Sequence, residues 1–188
     1  IKHTMTVEDT YRRAEKTLQE CILHGTTRMR TQLEVDPRIG IRGFDAVEAL
    51  AKDYRWAIDV EICVFPQEGL TNRPGTDELL VEGLKRRARV TGGPPGYDTD
   101  GPAQIERIFE LAREYDADID IHLDVGPTPE GMYVHLVREL TEKYRRGGRV
   151  VVGHMAKLSL LPPEEVAKIA KSLANVGVGV TVLPATDL

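Results

Sequence analysis

Basic charge is not in excess in this chain: Lys and Arg number 25 against 30 Asp and Glu, a net charge of -5 over 188 residues. That balance offers no electrostatic footprint to nucleic acid or to an anionic membrane surface, which removes both as partners. Cysteine is scarce. Cys21 and Cys63 stand alone without CxxC spacing, so neither a disulfide framework nor a thiolate metal site is expected, and both read as small core residues. No apolar run approaches the roughly 18 residues of a spanning helix. The opening Ile1-Lys2-His3-Thr4 is not a basic and then apolar leader, and the expectation is a soluble, cytoplasmic protein. There is no GxGxxG or GxxxxGK[ST] phosphate loop, no low-complexity segment and no Pro/Ser-rich linker, so residues 1–188 read as one domain. What is present is ordinary globular composition, 41% hydrophobic and 29% charged. The length suffices to bury roughly 70% of the unfolded surface.

Apolar β-branched runs alternate with longer amphipathic stretches about every 30 residues, the length of a βα unit. Thr6 is suited to cap a first helix with Glu8 and Asp9 in its first turn, and His24-Gly25 stops it. Strands are predicted over Thr26–Val35, Ala57–Phe65, Ala88–Gly92, Asp118–His122, Arg149–Gly153 and Val178–Leu183. Between them fall helices around Phe44–Ala51, Thr76–Arg87, Ile105–Ala112 and Met132–Arg146, and one that begins at Pro162-Pro163. Gly93-Pro94-Pro95-Gly96 reads as loop. Units of this kind require parallel strands with helical crossovers, so the class is α/β. Six strands complete a doubly wound sheet but not a (β/α)8 barrel, and composition alone favours the former.

The polar residues point the other way. His122 ends Ile119-Asp120-Ile121 and His154 ends Val150-Val151-Val152-Gly153, one βα period apart. Both therefore belong at the C-terminal ends of adjacent parallel strands, the rim where α/β folds place their sites. Converging neutral imidazoles suit a divalent metal such as zinc or iron with a position left open for water. Each His could instead cap its strand by bonding a loop carbonyl. His3, His24 and His135 fall at a terminus or on helices and read as solvated or packing residues. On the same rim, Val64-Phe65-Pro66-Gln67-Glu68-Gly69 carries Gln67, whose amide offers the donor and acceptor needed to read an amide or amidine edge. Asp124 follows His122 by two residues, so strand alternation keeps its side chain on the His122 face.

Four blocks resemble, in order and at matching spacing, the cytosine deaminase branch of the amidohydrolase superfamily, which includes N-isopropylammelide isopropylaminohydrolase. They are Arg30-Thr31-Gln32-Leu33-Glu34-Val35-Asp36, Val64-Phe65-Pro66-Gln67-Glu68-Gly69, Asp120-Ile121-His122-Leu123-Asp124 and Gly148-Arg149-Val150-Val151-Val152-Gly153-His154. The resemblance implies a (β/α)8 TIM-type barrel with a mononuclear iron or zinc centre, of which this chain resembles strands two to seven. It matches His122 to the fifth-strand metal ligand, His154 to the sixth-strand His, and Gln67 to the glutamine that contacts the substrate ring. The family's first-strand HxH and eighth-strand Asp have no counterpart here, so the 188 residues are not expected to be a competent enzyme alone. Val125 stands where the deaminases carry the Glu that shuttles protons, and Gln32 where they commonly carry His.

The resulting expectation is an enzyme: metal-assisted C–N hydrolysis on a cyclic amide, amidine or aminated heterocycle, with cytosine itself disfavoured by Val125. In it His122 ligates the metal, His154 polarises the substrate or holds the hydroxide, and Gln67 orients the ring. Asp124 is a further catalytic or supporting carboxylate. Lys157 reads as a surface lysine that could also meet an anionic substrate group. The partner is a small nitrogen heterocycle, and homo-oligomerisation is left open. Two alternatives stay: a non-catalytic binding module, and a doubly wound α/β protein.

Overall fold

The computed structural model describes residues 4–86 and 88–187. Arg87, with which the third sequence-predicted helix ends, lies outside the described residues, as do Ile1–His3 and Leu188. The strands are β1 (Arg28–Glu34), β2 (Asp59–Phe65), β3 (Val90–Gly93), β4 (Asp118–Leu123), β5 (Val150–His154) and β6 (Val178–Thr181). The helices are α1 (Val7–Leu23), α2 (Arg42–Asp53), α3 (Thr76–Lys85), α4 (Gly101–Glu114), α5 (Val134–Lys143), α6 (Pro163–Val176) and the single turn α7 (Pro184–Asp187). Thr6 caps α1 as its position suggests, its hydroxyl accepting from Asp9 N–H at 3.1 Å. The Gly93–Gly96 segment is not wholly loop: Gly93 ends β3, and Pro95–Tyr97 forms a 3-10 turn.

All five strand pairings are parallel, and the order across the sheet is β1-β2-β3-β4-β5-β6. A doubly wound sheet reverses its order at a switch point. This order never reverses, which overturns the doubly wound reading.

Curvature is measured by one arginine. In a flat sheet β1 and β4 would lie about 14 Å apart, three strand spacings, beyond the combined reach of an arginine and an aspartate side chain. Arg30 on β1 nevertheless meets Glu61 on β2 at 2.7 Å and Asp120 on β4 at 3.0 Å. The sheet is curled into a half-barrel, with these charges on its concave face.

The convex face is apolar and lies under the helices. Leu33, Val35 and Val64 pack with Phe44, Leu80 and Leu84. Ile119, Ile121, Leu123, Val150 and Val152 pack with Ile105, Ile108, Phe109 and Val137. The concave face alternates with it in register, as Arg30, Glu61, Cys63, Phe65, Asp120 and His122. Gly92 is demanded by this curl: a Cβ there would overlap the Asp120 carbonyl oxygen of the neighbouring strand. Cys63 is fully buried and its thiol pKa is pushed up by burial, so it is a packing residue. Cys21 is only half-buried, on the flank of α1. His24, just past the end of α1, and His135 on α5 are exposed. Among the described residues no helix is long and apolar enough to cross a membrane.

Candidate active site

The rim at the C-terminal ends of the strands holds a cleft of about 420 Å³, lined by Gln67, Tyr97, His122, Asp124, His154 and Lys157 among others. Each side chain is placed by the loop or strand end that carries it.

After β2 the chain turns at Pro66–Gly69, closed by Gly69 N–H donating to the Pro66 carbonyl at 2.9 Å. Gly69 has φ 102, and a Cβ there would run into the Asn72 side chain; only glycine fits. The far side of this loop is gripped by Asp98, from the segment after β3. Its carboxylate accepts from Leu70 N–H at 2.6 Å, Thr71 N–H at 3.0 Å and Gln104 Nε2 at 2.7 Å, and also from the Thr71 hydroxyl. Burial alone would raise the Asp98 pKa, but these donors prevail and hold it at about 2. Gln67 is thus presented on an anchored loop, and among the described residues its amide meets no hydrogen-bond partner in the protein.

His122 stands near the end of β4 with its ring between two others. The Phe65 ring lies 4.8 Å away, centroid to centroid, and the His154 ring 4.7 Å away and edge-on at 84°. Burial, and then the proximity of His154, lower the His122 pKa. A neutral imidazole is the form that ligates metal or accepts a proton.

Strand alternation does not by itself bring the two histidines together. His154 pairs in register with Leu123, not with His122, and strict alternation would put it on the helix side with Val150 and Val152. The backbone breaks the alternation: His154 has φ 69 and Met155 φ 53. Met155, buried at 2% exposure, anchors the turn, its N–H donating to Leu123 O at 3.1 Å and Gly153 O at 3.0 Å. His154 Nδ1 is then 2.8 Å from Asp187 Oδ1.

Asp124 departs from the same rule in the opposite sense. Its left-handed backbone, φ 52, turns the carboxylate to the start of α5. There it accepts from Tyr133 N–H at 2.7 Å and Val134 N–H at 3.1 Å. Burial raises its pKa against the pull of those two donors. Both oxygens are engaged by backbone, although the residue still lines the cleft. Val125, next along, is 59% exposed at the cleft edge. Lys157 Nζ donates to the Glu130 carbonyl at 2.5 Å, which braces the two loops against each other.

Among the described residues no group of three or more His, Cys, Asp or Glu side chains converges as a metal site. The donor chemistry at the rim fits a zinc or iron centre in kind, since His122 is neutral and half-buried, but fits it with fewer protein ligands than such a centre needs. Three functional features escape a reading of the sequence. Asp98 and Tyr97 sit in what reads as plain loop. Asp187 gives no local signal, yet it lies 33 residues beyond His154, the same βα period that relates His154 to His122, and that spacing could have flagged it.

Six parallel strands curled into a half-barrel under helices, with two facing imidazoles and an open amide on the strand-end rim, define the α/β partial-barrel class, and similarity to known proteins narrows it. No family profile matches the chain. It is 26% identical over 168 residues to the uncharacterized protein YahJ of Escherichia coli, covering 87% of this chain and 36% of that one. It is 28% identical over 137 residues to N-isopropylammelide isopropyl amidohydrolase of Pseudomonas sp., covering 71% of this chain and 34% of that one. The chain thus spans about a third of the length of these curated relatives. Among solved structures, 5-methylcytosine deaminase from Klebsiella pneumoniae liganded with 5-fluorocytosine superposes with a TM-score of 0.87 at 26% identity, covering 95% of this chain and 44% of that one. N-isopropylammelide isopropylaminohydrolase from Burkholderia multivorans gives a TM-score of 0.81 at 28% identity, covering 89% and 44%. YahJ apart, these relatives and structural neighbours are named as deaminases and amidohydrolases, the branch that this chain's sequence blocks resemble.

Proposed function

We propose that this chain is a stretch, equivalent to strands two to seven, of one amidohydrolase barrel domain, and that the protein carrying it hydrolyses a C–N bond of a cyclic amide, amidine or aminated heterocycle in the cytoplasm. The observation that carries the reading is the meeting of His122 and His154, ring centroids 4.7 Å apart, in a cleft that also holds the unengaged amide of Gln67. The names of the relatives agree with it.

His122 would hold a divalent metal, zinc or iron, together with ligands beyond the described set. When bound, such an ion lowers the pKa of a water towards neutrality and so supplies a nucleophile. The chain's own residues do the rest. Gln67 pairs with the edge of the heterocycle, its carbonyl accepting from a ring N–H or amine and its NH2 donating to a ring nitrogen or carbonyl. His154, edge-on to His122, faces the same space and acts on the attacking water or on the substrate. Asp124 positions rather than reacts: it ties the end of β4 to the start of α5 and so fixes the loop that follows His122. Val125 offers no proton, so the departing amine must take its proton from another group or from solvent.

The test uses the intact protein that carries this chain, loaded with zinc or ferrous iron. Release of ammonia or alkylamine is followed on cytosine, a pterin and N-alkylated aminotriazines. Turnover of at least one compound, lost in His122→Ala, is the expected result; no amine release from any of them refutes the reading. The second reading is a binding module, for which the unengaged Gln67 amide beside His122 and His154 in one cleft would serve equally. Calorimetric binding of one of these heterocycles without turnover would establish it.

A further inference from the structure

We infer that Asp187 is a positioning residue that locks His154 as its Nδ1–H tautomer, and that His154 therefore serves as a hydrogen-bond acceptor towards the attacking water, not as a donor to the substrate. This rests on the hydrolase reading above for its functional half. Its structural half stands on geometry alone.

Asp187 Oδ1 lies 2.8 Å from His154 Nδ1, and the two side chains are only 16% and 19% exposed. Its other oxygen accepts from Leu183 N–H at 3.3 Å, so the carboxylate is held by its own helical turn and not by the histidine alone. An ionised carboxylate only accepts hydrogen bonds. At 2.8 Å the proton between the pair must then sit on Nδ1, and in the neutral ring Nε2 is left with a lone pair. Nε2 is the ring nitrogen remote from Asp187, and His154 is among the residues that line the cleft. A lone pair there can take a hydrogen bond from water but cannot give one to a carbonyl or ring nitrogen. Of the two roles that His154 could fill, the tautomer selects the first.

The backbone supports the same assignment. Left-handed φ at both His154 and Met155 is strained for residues that carry a side chain. Such a conformation persists only where the surroundings enforce it. Here the Met155 N–H bonds to Leu123 and Gly153 enforce the turn, and the Asp187 contact fixes the ring within it. One unit, β5, thus supplies the imidazole, while the segment after β6 supplies the group that orients it.

The test is selective ¹⁵N labelling of histidine in the intact protein, with long-range ¹H–¹⁵N correlation at pH 8. Wild-type His154 should show a protonated, pyrrole-like Nδ1 and a pyridine-like Nε2. Asp187→Ala should abolish that pattern and give the Nε2–H form or a mixture, with circular dichroism unchanged. Asp187→Glu, which keeps the acceptor, should restore Nδ1–H in part. In turnover, Asp187→Ala should lower kcat about 10- to 100-fold, the usual effect of losing a group that orients a site histidine, with KM within about threefold, and Glu should recover part of it. A wild-type ring protonated on Nε2, or a tautomer indifferent to Asp187→Ala, overturns the inference whatever the activity. An Nδ1–H ring that responds to Asp187→Ala in a protein without turnover supports the lock and overturns the hydrolase reading instead.

Discussion

Replacing Asp98 by Asn tests how the Gln67 loop is held. The Asp98 carboxylate gathers backbone N–H groups from Leu70 and Thr71, the Thr71 hydroxyl and the Gln104 amide. An Asn can keep its carbonyl oxygen where Oδ2 accepts three of these bonds, so the substitution chiefly removes charge. The carboxyl titrates at about 2 in the folded chain against an ordinary 3.8, which at full value corresponds to about 2.4 kcal/mol. Asp98 is partly exposed, and solvent screening reduces that figure to about 1 kcal/mol. The sign follows from the direction of the shift. A folded-state pKa below the unfolded one contributes stability that is present above the unfolded value and is lost as pH falls through the folded value. Urea unfolding of wild type and Asp98→Asn should therefore differ by about 1 kcal/mol at pH 7. The gap should stay constant down to about pH 5 and close between about pH 4 and pH 2. Asp98→Ala, which strips the acceptors as well, should cost about 2–3 kcal/mol at pH 7. A gap that survives undiminished at pH 2, or none at pH 7, would show that the donors around Asp98 do not hold its charge.

Gly92→Ala places a Cβ onto the Asp120 carbonyl oxygen. Because backbone cannot swing aside as a side chain can, the expected loss is about 3 kcal/mol in urea unfolding, the upper range for overpacking; an unchanged midpoint would mean the strands are not so close. Val125 is exposed, so Val125→Glu should leave unfolding unaltered. In the intact, metal-loaded protein the same change should raise cytosine turnover on the order of 10²-fold or more by restoring a proton shuttle. Wild-type cytosine deamination already near roughly 10⁴ M⁻¹s⁻¹, with no gain from Glu, would falsify that reading of position 125.

What could be read from the sequence follows from periodicity. The βα repeat, the six strands and the placing of His122, His154 and Gln67 on one rim are all carried by patterns that extend over many residues, and the structure has them there. Boundaries were less legible: β6 ends at Thr181 and not Leu183, because Leu183 is drawn into the turn that carries Asp187. Composition favoured a doubly wound sheet because a count of strands says nothing about their order. The residues that distinguish the curled sheet, Arg30, Glu61 and Asp120, are far apart in sequence and meet only through curvature. Alternation likewise says nothing of the turn that carries the Asp124 carboxylate to the start of α5, since a rule of period two fails at the first left-handed residue.

Those left-handed residues are where the chemistry and the fold meet. Of the five non-glycine residues with positive φ among the described residues, Asp116 and Arg145 follow α4 and α5, where a left-handed residue is a common way to leave a helix. The other three, Asp124, His154 and Met155, cluster at the ends of β4 and β5. Met155 and Asp124 are held by bonds between the two strand ends and to the loop beyond, Met155 N–H to Leu123 O, Lys157 N–H to Asp124 O, and the Asp124 carboxylate to the start of α5, while His154 is held by Asp187. The strain at one strand end is thus stabilised by its neighbour, so the His122–His154 geometry belongs to the pair of units and to neither alone. A substitution that relaxes the β4 rim should displace the His154 ring although it touches nothing on β5, and this coupling is what allows two half-buried imidazoles to stay edge-on in a cleft open to water.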